Sequence, residues 1–353
     1  MTYNSILSHS TLPKCNYRLF STIYILFIYG IVRKRGDNMI IKTRSIEYKY
    51  MGLQMLYRRL PSEHAMKAVI HSKMKSAKAG IMGETKVAEV FDRYSFPFNC
   101  RILHDVSLSS NGKFQMDTVF ISPYYIVILE CKNIVGELCF ETIPPCLTRT
   151  LENGKKEIFE SPEVQVYRNM YLFKEWLHGR GIELPVKGVI VLSNMKSKVV
   201  KPPNHTDVIY ASSIPVYLRN LPRDKKYLSS TQMDDLAQSI VAAHQAYFPY
   251  PMCKNWSIDP ACLMTGVQCK GCEQFGMVKK NIGWICSNCG NIDRNAHVLT
   301  IQEWFTLIDD RISNKDCRKF LQINSSQLAS RILNSMNLTR EQKAKNTVYR
   351  WMW

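Results

Sequence analysis

Asp117 and the run Glu130-Cys131-Lys132 are the residues of this sequence best suited to chemistry. Side chains alternate faces along a strand, so Glu130 and Lys132 point one way and Cys131 the other. Asp117 falls on the preceding strand of a hairpin, where cross-strand pairing would bring two carboxylates together beside a lysine. Hard divalent cations prefer oxygen ligands and retain water, so this trio suits magnesium or manganese. Such a metal polarises a phosphodiester and activates water, while the lysine stabilises developing negative charge. The plain alternative is a solvated face, the ordinary role of a Glu-x-Lys at a strand end. Against it, Glu130 follows the apolar run 126–129, so the charges end a buried strand. Glu84, read as lying at a helix start, and Gln165, in a later helix, can face the same cleft.

The elements that would position these groups are legible in order. Helical spacing runs from Gly83-Glu84 through Val87, Val90 and Phe91. Strand-like runs follow at 100–108, 113–122 and 125–131, with a hairpin signal at Ser109-Ser110-Asn111-Gly112 and a break at Ser122-Pro123. A polar stretch contains Asn153-Gly154. Pro162 suits the first turn of a helix to about His178, and 186–193 reads as a buried strand. A basic loop (Lys196, Lys198, Lys201) and a helix over 232–244 complete the unit. Helix, three strands, helix, strand implies a mixed α/β sheet.

Gly83-Glu84, Phe114-Gln115-Met116-Asp117, Ile128-Leu129-Glu130-Cys131-Lys132-Asn133 with Gly136, and Ser161-Pro162-x-x-Gln165 resemble the successive motifs of the nuclease-related (NERD) domain. That family is placed in the PD-(D/E)xK nuclease superfamily, and the resemblance covers about 80–193. It implies a restriction-endonuclease-like mixed sheet flanked by helices. It also implies a catalytic set in which Asp117 and Glu130 bind the metal and Lys132 assists attack. Glu84 would be a further acidic ligand, and Gln165 would orient substrate or metal-bound water. Ser161 stands where the family commonly has asparagine, and Met116 where it often has isoleucine.

Cys269-Lys270-Gly271-Cys272 and Cys286-Ser287-Asn288-Cys289 form two C-x-x-C knuckles. Each turn can aim two thiolates at one point, and four thiolates suit a tetrahedral, structural zinc. Phe275, Met277, Val278 and Trp284-Ile285 fit the hairpin of a zinc ribbon. Gly271 and Gly290 are the expected sites of tight backbone. A redox dithiol or an iron–sulfur cluster is the alternative.

Beyond the knuckles, 313–321 and 325–336 resemble a helix-turn-helix. Leu328, Ile332, Leu333 and Met336 form the apolar stripe of the second helix, and Gln327, Ser330, Arg331 and Asn334 its outer face. Arg340, Lys343 and Lys345 before Thr347-Val348-Tyr349 suit a basic wing and a return strand. Gln327, Arg331 and Asn334 are the candidate DNA-reading residues. An amphipathic hairpin packed on the ribbon is the alternative.

The whole chain supports these parts. Its 353 residues are 46% hydrophobic, enough to bury a core, and a net charge of +18 favours a polyanionic partner, nucleic acid or an anionic membrane surface, among which the motifs point to nucleic acid, DNA first. Of twelve cysteines, four sit in the C-x-x-C pairs and most others are isolated in apolar stretches, which points to metal ligation and free thiols in a reducing, cytoplasmic setting. The apolar run 19–32 is shorter than the ~20 residues of a bilayer span. Residues 1–38 read either as an over-extended start before Met39 or as a short hydrophobic segment. Without them the net charge is still +14. The resulting division is 39–80 helical lead-in, 81–247 nuclease-related domain, 248–265 linker, 266–296 zinc ribbon and 297–353 winged-helix-like module. The expected function is a divalent-metal nuclease acting on DNA, the main rival a catalytically silent DNA-binding or scaffold protein, and the third reading a membrane-tethered factor anchored by residues 19–32.

Overall fold

The computed structural model describes residues 33–35, 38–45, 47–343 and 346–351. The apolar run 19–32 and Lys345 lie outside the described residues. In chain order the first elements are β1 (Arg33–Arg35), β2 (Asn38–Lys42), α1 (Tyr48–Arg59), α2 (Lys67–Arg93), β3 (Cys100–Ser109), β4 (Lys113–Ile121) and β5 (Ile126–Lys132). Then come β6 (Gly136–Thr142), β7 (Pro145–Thr150), β8 (Lys156–Glu160), α3 (Pro162–His178), β9 (Val186–Leu192), β10 (Ser197–Lys201), β11 (Asp207–Tyr210), α4 (Ile214–Asn220) and α5 (Ser230–Ala243). The remainder forms α6 (Met252–Asn255), β12 (Val278–Lys280), β13 (Gly283–Ile285), β14 (Ile292–Asp293), α7 (Ala296–Leu307), β15 (Arg311–Ser313), α8 (Asn314–Leu321), α9 (Ser326–Ser335), β16 (Leu338–Lys343) and β17 (Asn346–Trp351). These elements make two compact units. One joins the described residues up to Ile46 to Gly83–Gln245, and the other joins Glu47–Met82 to Ala246–Trp353.

The first unit is built on a seven-stranded mixed sheet in the order β1-β2-β3-β4-β5-β9-β11. The antiparallel run β3-β4-β5 meets the parallel run β5-β9-β11 at β5. Helices cover both faces. Phe173 and Trp176 of α3 and Leu236 and Ile240 of α5 pack on one side, and Val87 and Phe91 of α2 and Ile214 and Leu218 of α4 on the other. Coverage on both faces is why 126–129 and 189–192 are continuous apolar runs without alternation. Local chemistry starts the helices where the sheet needs them. Ser161 caps α3 by accepting from the Val164 N–H, with Pro162 in the first turn, and Ser229 and Gln232 form a capping box on α5.

Three expectations need correction. The stretch 39–80, read as helical, opens with β2, which pairs in parallel with β3. A partner some sixty residues away leaves no mark in local periodicity. Glu84 sits inside the 27-residue α2 and not at a helix start. The polar stretch around Asn153-Gly154 and the basic loop at 196–201 both belong to a second, four-stranded sheet ordered β10-β6-β7-β8. Its inner residues Leu138, Phe140 and Leu147 pack on Val166 of α3 and on Ile190 and Leu192 of β9.

The second unit holds the three-stranded ribbon β12-β13-β14 and a winged-helix arrangement: α7, β15, α8, α9 and the β16–β17 hairpin, with β15 paired to β17. α1 is part of its core, with Leu53, Leu56 and Leu60 packed among Met252, Leu263 and Leu307. Arg59 ties the pieces together. Its fully buried guanidinium donates to Glu303 Oε2 of α7 at 2.6 and 2.8 Å and to the carbonyl oxygen of Met264 at 2.6 Å. It also lies over the rings of Phe275 and Phe320. Glu303 is itself fully buried and also accepts from Arg58 Nη2 at 3.1 Å, so removing Arg59 leaves its Oε2 unbonded and the buried charge only partly compensated. Arg59→Met should therefore cost about 3–5 kcal/mol, read as a lower urea midpoint by tryptophan emission. An unchanged midpoint would show that the pair is not holding this unit together.

Candidate functional site

The site forms where regular strand geometry fails. β4 and β5 pair antiparallel from Ile121↔Ile126 to Thr118↔Leu129, and there the ladder stops. Asp117 and Glu130 are the next residues on each strand. Asp117 uses its side chain where a ladder bond would have been, with Oδ2 accepting the Cys131 N–H at 2.8 Å. On the other side of β4 the pairing passes from His104↔Thr118 to Val106↔Met116, skipping Asp105 and Asp117. Asp105 has φ of 54°, a left-handed conformation for a non-glycine residue. The face alternation slips there. Leu103, Val106, Met116 and Val119 share one core, whereas Ile102 and Phe120 belong to the other. Buried Lys42 satisfies the turned backbone, donating to the carbonyl oxygens of His104 and Asp105 at 3.0 and 2.8 Å.

Glu130 and Lys132 share a face, as strand alternation requires. Lys132 Nζ donates to Glu130 Oε1 at 2.9 Å and to Gln165 Oε1, in the first turn of α3, at 2.8 Å. Glu130 is almost wholly buried, and its Oε2 has no hydrogen-bond partner among the described residues. Burial, then the Asp117 carboxylate, push the Glu130 carboxyl up to about 8, with Lys132 pulling the other way. Burial likewise raises Asp117. For Lys132, burial is the largest single effect and would lower the ammonium, but the Glu130 carboxylate, its hydrogen bond and the Asp117 carboxylate together outweigh it and the net shift is upward. Lys132 is thus held as a cation between an acid and an amide. The arrangement suits charge stabilisation better than proton abstraction.

Glu84 reaches the neighbourhood because Gly83 lets α2 press against the ends of β5 and β9. A Cβ on Gly83 would meet Ser193 Oγ at 2.6 Å and Asn133 Cβ at 2.7 Å. Glu84 Oε2 accepts from Arg44 Nη2 at 2.7 Å. Burial is the largest cause raising the Cys131 thiol, and the Asp117, Glu84 and Glu130 carboxylates add to it. They are not drawn to within direct ligand distance of one another. Among the described residues, the one group of three or more His, Cys, Asp or Glu ligand atoms lying within 4.8 Å of each other is elsewhere. Sequence reasoning missed Lys42, Arg44 and Asp105. No motif marks them, since the strand pairing and the positive φ that recruit them are tertiary facts.

That other group is Cys269, Cys272, Cys286 and Cys289. Their sulfurs approach to 3.6 Å (Cys269–Cys289) and 3.5 Å (Cys272–Cys286), and the Gly271 N–H points at Cys269 Sγ at 3.3 Å. Four converging thiols with backbone N–H support fit a tetrahedral zinc, leaving no open position. The two knuckles are equivalent: the Glu273 N–H bonds the Cys269 carbonyl oxygen and the Gly290 N–H bonds that of Cys286, both at 2.9 Å. Each residue after the second cysteine takes positive φ, 60° at Glu273 and 72° at Gly290. The strained position of the first knuckle is therefore Glu273, whereas Gly271 was expected.

In α9, Gln327 and Arg331 are exposed, while Ala329, Ile332 and Leu333 are buried. Asn334 is exposed too, but its Oδ1 accepts from the Tyr349 hydroxyl at 2.9 Å and so links the helix to β17. The basic residues at 198 and 201 form ion pairs with Glu137 and Glu141.

Residues 79–193 match the family model of the nuclease-related domain. The chain carries a nuclease-related domain. No curated protein and no solved structure matches the chain. The matched span starts inside α2 and ends just after β9, and it contains Glu84, Asp117, Glu130, Lys132 and Gln165. Among the described residues, no helix is long and apolar enough to cross a membrane.

Two tests follow from this geometry. Cys286→Ser should abolish the roughly one zinc per chain that four thiolates bind. Elemental analysis finding iron, or no metal in freshly reduced protein, would overturn the ribbon assignment. The second concerns His104, which is buried, with Nδ1 2.9 Å from Thr118 Oγ1. Burial, then Arg44 and Lys42, lower it to about 3. A folded value below the ordinary 6.5 means that the unfolded chain takes up the proton first. Its contribution to stability is therefore full above pH 6.5 and is lost as the pH falls from there toward 3. His104→Asn should flatten the decline of unfolding free energy between pH 6.5 and 4. An identical slope would contradict the buried neutral imidazole.

Proposed function

We propose that this protein is a divalent-metal-dependent nuclease that hydrolyses phosphodiester bonds of DNA. The observation that carries the reading is Glu130: a buried carboxylate with one oxygen on Lys132 and the other unpartnered, beside a second acid at the end of the same strand pair. An oxygen left unsatisfied in a core is costly, and a hard cation is a partner chemically suited to it. Asp117 and Glu130 would hold magnesium or manganese, which would polarise the phosphodiester and lower the pKa of a bound water. Lys132, kept cationic by Glu130, would stabilise the charge that builds on phosphate oxygens as water adds to phosphorus and the leaving oxygen departs. Gln165 would keep Lys132 aimed at that position and orient substrate or water. Glu84 would add negative potential at the cleft.

The C-terminal unit would deliver the substrate. In this reading zinc holds the ribbon rigid, α9 enters the major groove with Gln327 and Arg331 outermost, and the β16–β17 hairpin acts as the wing. The Asn334–Tyr349 bond suits a residue that orients the helix as much as one that reads bases. The net charge of +18 favours a polyanion over a neutral partner. A silent DNA-binding scaffold is the second reading, favoured by one observation: the three acids do not converge to ligand distance.

Asp117→Ala and Lys132→Ala should each abolish magnesium-dependent cleavage in protein that circular dichroism shows to be folded, with a lower thermal melt for Lys132→Ala because it leaves buried Glu130 uncompensated. Cleavage by both variants at the wild-type rate would remove these residues from the active site. Arg331→Ala should weaken DNA binding by about 1–3 kcal/mol if it reads a base edge, and binding should fall steeply with salt. Wild-type affinity at every salt concentration would leave α9 a packing element.

A further inference from the structure

Arg44 lies outside the span that matches the family model, in the segment just after β2. It is nevertheless built into the candidate site. Its Nη2 donates to Glu84 Oε2 at 2.7 Å and its Nη1 to Thr85 Oγ1 at 2.8 Å. The side chains of Arg44 and Glu84 are only 15% and 27% exposed, so solvent screens the pair incompletely. Two residues earlier, Lys42 grips the backbone at the slipped pair next to Asp117. The segment 42–45 therefore brings two cations to a cleft whose other charges are mostly acidic.

A guanidinium bonded to one carboxylate oxygen does two opposing things to a metal site. It orients the carboxylate, and it places a positive charge where a divalent cation would have to come. Both effects act on Glu84. We propose that Arg44 is a positioning residue that holds the Glu84 carboxylate at the cleft in the metal-free protein and competes with a divalent cation for it. This rests on the reading of Asp117 and Glu130 as metal ligands. It makes metal occupancy of the site depend on breaking or sharing one identified ion pair, formed by a residue that the family motifs do not include.

The test is a manganese titration of the full chain, with free Mn2+ followed by electron paramagnetic resonance. Arg44→Gln removes the charge but keeps a hydrogen-bonding amide. It should bind Mn2+ about tenfold more tightly than wild type, the scale on which one adjacent charge moves a proton equilibrium. Arg44→Lys keeps the charge and should stay near wild type. The double variant Arg44→Gln, Glu84→Gln should show no gain over Glu84→Gln alone, which places the effect on this carboxylate. Arg44→Met serves if the glutamine variant does not fold. Equal or weaker Mn2+ binding by folded Arg44→Gln, with Asp117→Asn still weakening it, overturns the competition and leaves the metal reading standing. An Asp117→Asn protein that binds Mn2+ as well as wild type, or no binding by any form, overturns the metal reading and this proposal together.

Discussion

A buried carboxylate that shares one oxygen and keeps the other is the constraint around which the first unit is organised. Glu130 is carried into the core by β5, a strand covered by helices on both faces of the sheet. It must then be compensated. Lys132 does so from the next position on the same face, and Gln165 fixes Lys132 from α3. α3 can come close enough because Gly188 of β9 has no Cβ: one there would lie 2.1 Å from Val166 Cγ1. The capped first turn of that helix, the glycine beneath it and the ladder that stops at Thr118 therefore serve one cluster. A cluster of buried, perturbed acids with slipped backbone beside it is a common form of a functional centre.

The parts of this arrangement that the sequence discloses are the local ones. Glu130 and Lys132 share a face by strand alternation, the β3–β4 turn is written in Ser109-Ser110-Asn111-Gly112, and Ser161-Pro162 announces α3. The parts that stay hidden depend on distant partners. β2 is recruited by β3 across nearly sixty residues, so its strand character, and the placing of Lys42 within it and Arg44 just after it, cannot be read locally. β6, β7 and β8 carry exposed charges on one face, and their polar look masks a sheet whose other face is Leu138, Phe140 and Leu147. Glu84, expected at a helix start, lies inside α2. Glycine suggested a helix boundary, whereas Gly83 permits close packing in the middle of a helix.

The second unit shows a different division of labour. Zinc-ligand spacing is a strictly local signal, and the four sulfurs converge as two C-x-x-C turns imply. What joins the ribbon to the helices is not local at all. Arg59 comes from a helix about two hundred residues before the carbonyls and carboxylate it binds, and its guanidinium is stacked between aromatic rings of the ribbon and of α8. A buried ion pair of this kind contributes less to stability than its short distances suggest, but it specifies one arrangement by making every other one strand a charge. The segment 47–82 is in this sense part of the C-terminal unit's core.

The central claim is that the unpartnered oxygen of Glu130 is a metal ligand. Anomalous scattering from crystals of the full chain soaked in manganese tests it most directly. The account predicts a manganese peak at coordination distance from Glu130 Oε2 and Asp117. A well-ordered Glu130 with no peak beside it, while manganese binds elsewhere, would contradict it.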